Sequence, residues 1–592
     1  MRLRIPALRL TLALLLFAPS LGATDKPSLV LVISVDQMRA DYLDRFRPWF
    51  GEDGFNRFFK KGARFTQARQ RHATTFTGPG HASIGTGLDP RDHGIIGNLW
   101  YDKRGGESIY CVEDRAVKWV GAPEGAPQIP IAPASPVNLD ATSFGDRLKE
   151  RFPGARVIGL SLKDRSAVLM AGRKADAALW FEERFERFVT SSYYPPLPAL
   201  LAFNERVPAF FAAPEHRTWA LSGRIPAADL DRLTSAMDGI KDATAQPDGY
   251  RAAFPHALDS PKGIVSSPWG DVLVLELARF AIESQRLGAR ADRPDLLFVG
   301  LSSTDYYGHW FGPDSKEIAD GLVRLDASLA AFFRWLDERV GPDRVLTFLT
   351  ADHGVQSLPE VTRAKKKKET GETDYLAAGR VDFTNSRDGS PTPRLRDVGG
   401  DRFALETFLG NKFRYEPDPD ARVKTDGAVL SFEEPGFTVN RAALHRRGLD
   451  VEEVKKAIRD WLRKRPGILT AWTDTEIADG LPPDAPYELA VERAFRPDRS
   501  ADVIVVLKPG WMWSYGKESG TTHGQPNDDD ARVPLAVWGP GVAAGSYDTP
   551  TSPLAIARTV AALYGFEAGE PDVAPLQPVL GGAAATPLPT SR

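Results

Sequence analysis

Along this chain the apolar positions gather into short unbroken runs, with stretches of helical spacing between them. Ser28-Leu-Val-Leu-Val-Ile-Ser-Val-Asp36 is the clearest run. Apolar residues that do not alternate with polar ones predict a strand buried on both faces, as in a parallel sheet. Ala155 to Leu160, Asp295 to Leu301, Arg344 to Thr350, Ala501 to Leu507 and Val533 to Trp538 read the same way. Between two of these, Ile318 to Val340 sets Leu322, Leu325, Leu329 and Phe332 or Phe333 at the spacing of one helical face. Strand and helix in alternation predict an α/β fold, a doubly wound and mostly parallel sheet. No repeat of solenoid period is visible.

Two stretches break the rhythm. Residues 181–290 are rich in Phe, Tyr, Pro and Ala, as in Ser192-Tyr-Tyr-Pro-Pro-Leu-Pro198, and read as an inserted cap or lid. Residues 361–500 hold Lys365-Lys-Lys-Lys368, expected as a solvated loop, with strand-like and helical pieces such as Val451 to Arg463. The core would then come in three parts, 26–180, 291–360 and 501–570. The Pro-, Ala- and Gly-rich residues 571–592 would form an extended tail.

Ahead of the first strand, Met1 to Arg9 carries three arginines and no acid, Leu10 to Leu21 is mostly apolar, and Gly22 and Ala23 are small. That order predicts a signal peptide over residues 1–22, cleaved after Gly22 or Ala23, because the run is too short for a comfortable membrane span. Cys111 is the single cysteine, so the exported chain folds without an internal disulfide, which suits a bacterial periplasm. With 592 residues, 42% hydrophobic and 26% charged, the chain can fill one large domain with insertions. The net charge is −3 with acids and bases interspersed, so neither nucleic acid nor, after leader removal, a membrane is an expected partner. Oligomeric state stays open, and a monomer is compatible with all of this.

Polar residues that follow strands carry the chemistry, since ligands of open α/β sheets sit beyond the strands' carboxyl ends. Asp36 ends the first run; it reads as a site acid or as the cap of a helix over Met38 to Phe46. Thr77-Gly-Pro-Gly-His81 predicts a loop turning into a helix, with Pro79 at the first helical position. The Thr77 hydroxyl then lies at a helix N-terminus, which favours phosphate, although the same residue alone also reads as an N-cap. Asp305 and His309 are four apart, on one helical face, and could aim at one metal ion. Asp352 and His353 follow another strand, and His523 lies beyond the run at Ala501 to Leu507. Lys163 and Arg165 follow Leu160; they read as a surface ion-pair cluster with Asp164 or as a phosphate grip. His72, His81, His93, His216, His256 and His445 read as structural histidines.

The order Asp36, Thr77, Asp305/His309, Asp352/His353, His523 resembles the alkaline phosphatase superfamily of two-zinc hydrolases, in blocks over roughly half the chain. Within it the chain is most similar to the phosphate-irrepressible alkaline phosphatases, monoesterases with a threonine nucleophile. The features that carry this are Val35-Asp-Gln-Met-Arg39, Thr77-Gly-Pro-Gly-His81, Gly97-Asn98-Leu-Trp-Tyr101 and Ser161-Leu-Lys163-Asp-Arg165-Ser-Ala.

The resemblance implies a sheet of alkaline phosphatase type with the two insertions forming a cap. It implies one zinc on Asp36, Asp352, His353 and the Thr77 oxygen, and a second on Asp305, His309 and His523 with an open position. Nitrogen and oxygen donors without cysteine suit zinc; manganese or iron can also take such a set. Thr77 would attack phosphorus and form a phosphothreonine, with Thr74 and Thr75 as rivals, while Asn98, Lys163 and Arg165 grip the phosphate. The expected substrates are small-molecule phosphate monoesters of broad range, with release of inorganic phosphate. A phosphodiesterase or nucleotide pyrophosphatase would share every metal ligand. A non-catalytic periplasmic metal- or phosphate-binding protein is the reading outside enzymology. A sulfatase is set aside, because Cys111-Val-Glu-Asp-Arg115 lacks the proline of Cys-x-Pro-x-Arg.

Overall fold

Leu29–Val35 is buried along its whole length, near the middle of a ten-stranded sheet. The computed structural model describes residues 26–126, 131–238, 240, 254–381, 402–415, 427–514 and 520–581. From edge to edge the strands are Gly545–Tyr547, Ala63–Phe65, Leu535–Trp538, Val345–Thr350, Leu29–Val35, Asp295–Leu301, Val157–Ser161, Ala177–Glu182, Arg187–Ser191 and Trp119–Val120. The run from Val345–Thr350 to Ala177–Glu182 is parallel. Leu535–Trp538 on one side and Arg187–Ser191 on the other turn antiparallel.

Helices cover both faces, which explains the unbroken apolar runs. Leu29, Leu31, Ile33 and Val35 enter one core beneath the helices Pro268–Gln285 and Lys316–Arg339. Val30 and Val32 enter the other, beneath Thr77–Thr86, Phe144–Arg151, Asp164–Ala171 and Ala555–Tyr564. Each such side chain, fully buried, contributes about 1.5–3 kcal/mol, so neither face has room for a polar alternation.

Register positions the site. Val35 pairs with Leu301, Ser34 with Thr350, and Gly300 with Ser161. Four neighbouring strands thus end at one level, and Asp36, Lys163, Asp305, Asp352 and His353 follow from one rim.

A second sheet orders Val429–Glu433, Gly436–Val439, Val503–Leu507 and Ile468–Thr473, all antiparallel. Its core also takes in the helix Val451–Leu462. Arg499 ties this unit to the main one by donating to the Gly94 and Asn138 carbonyls at 2.6 and 2.7 Å and to Asp140 at 2.8 Å.

Several expectations change here. The strand within Ala501 to Leu507 forms, but in the smaller sheet. Lys365 to Lys368 lie in the helix Pro359–Thr370 rather than a loop. The helix expected over Met38 to Phe46 shrinks to Tyr42–Arg45, with a 3-10 turn Arg47–Trp49 after it. Residues 181–290, expected as an inserted cap, contain the sheet strand Arg187–Ser191 and the core helix Pro268–Gln285. The tail is not loose at its start, since Val573, Leu576 and Val579 are buried in the core. The expected leader, residues 1–22, and residues 582–592 lie outside the described residues. Among the described residues no helix is long and apolar enough to cross a membrane.

Candidate metal and phosphate site

Thr77 is the first residue of the helix Thr77–Thr86; its cap is Phe76 and Pro79 stands third, not first. The threonine hydroxyl therefore does not cap the helix. All ten helix residues are buried, and three of them are glycines. At Gly80 a Cβ would fall 2.4 Å from the Asp352 carbonyl oxygen, so only glycine lets this helix press against the turn that carries Asp352. The amide cradle expected at the helix start is thin. Pro79 has no N–H, the Gly78 N–H donates to Asn98 Oδ1 at 2.8 Å, and the Gly80 N–H donates to the Phe76 carbonyl.

Two trios of potential ligands gather around this helix end. Asp36, Asp352 and His353 bring one donor atom each within 4.8 Å of one another, and Asp305, His309 and His523 do the same. The trios adjoin, for the His353 and His523 rings stack at 3.5 Å between centroids. Thr77 Oγ lies 3.4 Å from His353 Nε2. The rival Thr75 is committed elsewhere, its hydroxyl donating to the Gln525 carbonyl at 2.9 Å and accepting from Gly524 N–H.

The donor set fits divalent cations. His353, His309 and His523 each place Nδ1 on a backbone carbonyl, of Gly354 at 3.0 Å, Thr521 at 2.7 Å and Thr75 at 2.8 Å. With the proton held there, Nε2 of a neutral ring turns a lone pair into the site, as metal-binding imidazoles do; His309 reaches that form when a cation replaces its Nε2 proton beside Asp305. His353 Nε2 stands 3.2 Å from Asp352 Oδ2 and 3.5 Å from Asp36 Oδ1, and neither carboxylate oxygen has a hydrogen-bond donor. Buried acceptors facing acceptors are costly, and a cation between them removes the conflict.

Charge follows the same logic. Burial, then Asp305, pushes the Asp36 carboxyl up to about 6, against the pull of Lys163. Burial and Asp36 raise Asp352 as well. Burial alone would raise Asp305, but His309 and Lys163 hold it well below the usual carboxylate range. Burial lowers His353, with His523 adding to it, and takes His523 down to about 4, so both stay neutral, the ligand form.

Lys163 is not a surface residue. It is buried, with Nζ 2.7 Å from Asp36 Oδ2 and 2.5 Å from Asp305 Oδ2. Arg165 donates from Nη1 to the Tyr110 hydroxyl at 3.1 Å, and that hydroxyl donates to Asp164 at 2.6 Å. Arg165 Nε is buried without a partner. The structure thus brings together the two trios expected from the sequence, with Lys163 between Asp36 and Asp305, Thr77 beside His353 and Asn98 on the Gly78 amide. It adds residues that sequence reasoning passed over. Gln37 donates to Asp305 Oδ1 at 2.8 Å, Tyr110 orients Arg165, and His81, expected as structural, has Nδ1 3.2 Å from Asp352 Oδ2. Gln37 and His81 lie inside the stretches Val35-Asp-Gln-Met-Arg39 and Thr77-Gly-Pro-Gly-His81, but nothing local marks what they contact.

A family model for type I phosphodiesterase/nucleotide pyrophosphatase matches residues 30–529, a span that holds both trios. The chain is 31% identical over 555 residues to alkaline phosphatase PafA of Elizabethkingia meningoseptica, covering 93% of each chain. It is 31% identical over 553 residues to alkaline phosphatase PhoV of Synechococcus elongatus, covering 91% of this chain and 90% of that one. The crystal structure of wild-type PafA superposes with a TM-score of 0.79 at 29% identity, over 94% of this chain and 99% of that one.

Proposed function

The chain belongs to the type I phosphodiesterase/nucleotide pyrophosphatase family, and from that premise we propose that it is an alkaline phosphatase. It releases inorganic phosphate from small-molecule phosphate monoesters through a phosphothreonine at Thr77. One observation carries this reading: two Asp/His trios lie side by side, with the Thr77 hydroxyl 3.4 Å from a histidine of the first.

Two divalent cations, zinc by the character of the donors, fit Asp36, Asp352, His353 with the Thr77 oxygen, and Asp305, His309, His523; they would supply Lewis acidity to the nucleophile and the leaving oxygen. Thr77 Oγ gives up its proton to solvent and forms a bond to phosphorus as the bond to the ester oxygen breaks, and the departing alkoxide takes up a proton from solvent. Water then attacks the phosphothreonine, freeing Thr77 and phosphate. With few free amides at the helix start, side chains take up the phosphate charge. Asn98 uses its carbonyl oxygen on Gly78 N–H, which leaves its NH2 group to donate. Lys163 acts as a buried point charge, and the unpaired Nε of Arg165 suits a guanidinium that grips an anion.

A monoester dianion carries more charge on its non-bridging oxygens than a diester does, and this cluster favours it. The family's description supports diester cleavage as a second reading. Comparing kcat/KM on paired aryl monoester and diester substrates, with metal analysis of the same sample, decides between them; preference for the diester would overturn the first. Acid quenching during turnover should trap phosphate on Thr77, detectable by peptide mass spectrometry. The basic, apolar, then small residues of the first 23 positions support export to the periplasm.

A further inference from the structure

Gln37 reaches both trios at once. It is 1% exposed and adopts a left-handed backbone, φ 64°, directly after the ligand Asp36. In that conformation its N–H donates to Asp352 Oδ1 of the first trio at 3.2 Å, and its side-chain Nε2 donates to Asp305 Oδ1 of the second at 2.8 Å. The amide orientation follows from chemistry, because an ionised carboxylate only accepts. Asp305 Oδ1 is also the oxygen that stands 3.1 Å from His309 Nε2 and 3.6 Å from His523 Nε2.

A second observation comes from the opposite side. Gly308 lies inside the helix Ser303–Phe311, where alanine would be the better helix former. A Cβ at Gly308 would fall 2.1 Å from Gln37 Oε1. The glycine makes room for this one amide.

We propose that Gln37 is a positioning residue that fixes the Asp305 carboxylate relative to Asp36 and Asp352, so that the cation held by Asp305, His309 and His523 depends on it. This rests on the two-cation reading above. Without the amide, Asp305 keeps Lys163 on Oδ2 but loses the donor that holds Oδ1 toward the two imidazoles, while Asp352 in the first trio keeps the backbone N–H of residue 37.

Gln37→Gly tests this, since glycine accepts the left-handed backbone and keeps the N–H. Gly308→Ala tests it without touching residue 37. Zinc titration of metal-free protein, read by calorimetry and by competition with a chelator, should show one cation weakened about 10–100-fold and the other within about twofold. On an aryl monoester, kcat should fall at stoichiometric zinc and recover in excess zinc. The double variant should be no worse than Gln37→Gly alone, because both changes remove the same hydrogen bond. Unchanged affinity for both cations in the single variants overturns the proposal, as does equal loss of both cations or an additive double variant. A wild-type protein that binds no cation pair would instead sink the reading beneath it.

Discussion

Asp36, Asp352 and His353 stand in turns that leave neighbouring strands of one sheet, and all three are fully buried. Asp305 and His309 ride on a helix, His523 sits in a loop after the smaller sheet, and the His309 side chain is 31% exposed. The first trio inherits its geometry from strand register, which a parallel sheet buried on both faces holds firmly. The second is assembled from separate elements, and of its three members only His309 is partly exposed. Under the proposed mechanism the contrast would suit a division of labour, with Thr77 against the first trio and the leaving oxygen on the side of the partly exposed His309.

The largest expected effect isolates the nucleophile. Thr77→Ala should lower monoester turnover by about four orders of magnitude or more, with two cations per chain retained. Steady-state kinetics with metal analysis checks this, and normal activity would detach Thr77 from the rigid trio's work. Next, Asp352→Asn should cost about a thousandfold in turnover and resist rescue by added zinc, whereas Asp305→Asn should recover substantially in excess zinc. Equal rescue of both variants would erase the distinction between the trios. Graded chelation should pass through a species with one cation per chain, its remaining ion on the buried trio; native mass spectrometry would show whether both leave together instead. The smallest effect concerns substrate choice. Arg165→Ala should lower kcat/KM for the monoester about 10–100-fold and for the diester by less, and equal losses would count against its grip on phosphate.

What the sequence disclosed follows from the same physics. Strands buried on both faces leave unbroken apolar runs, so five of the main sheet's ten strands could be read directly, together with the acids and histidines placed just beyond them. Thr77–Thr86 has no polar face because every residue in it is buried, so periodicity could not reveal it. Pro79 signalled the helix but misplaced its start by two residues. The Val503–Leu507 strand was legible and its partners were not, because pairing with Ile468–Thr473 and Gly436–Val439 is a long-range fact. Gln37 and Tyr110 were opaque for a like reason: the groups that give them meaning, Asp305 and Arg165, lie far along the chain. Pro and Gly in the tail masked the apolar positions Val573, Leu576 and Val579.

The smaller sheet bears on any attempt to trim this protein to a minimal enzyme. Its strand Val503–Leu507 leads through Trp511–Trp513 into the loop that carries His523, and Leu507 N–H donates to Gln525 Oε1 at 2.8 Å. Excising that lobe would unmoor the His523 imidazole of the second trio, so the appendage is not dispensable ornament. Shortened versions would have to rebuild that anchorage before they could be expected to turn over anything.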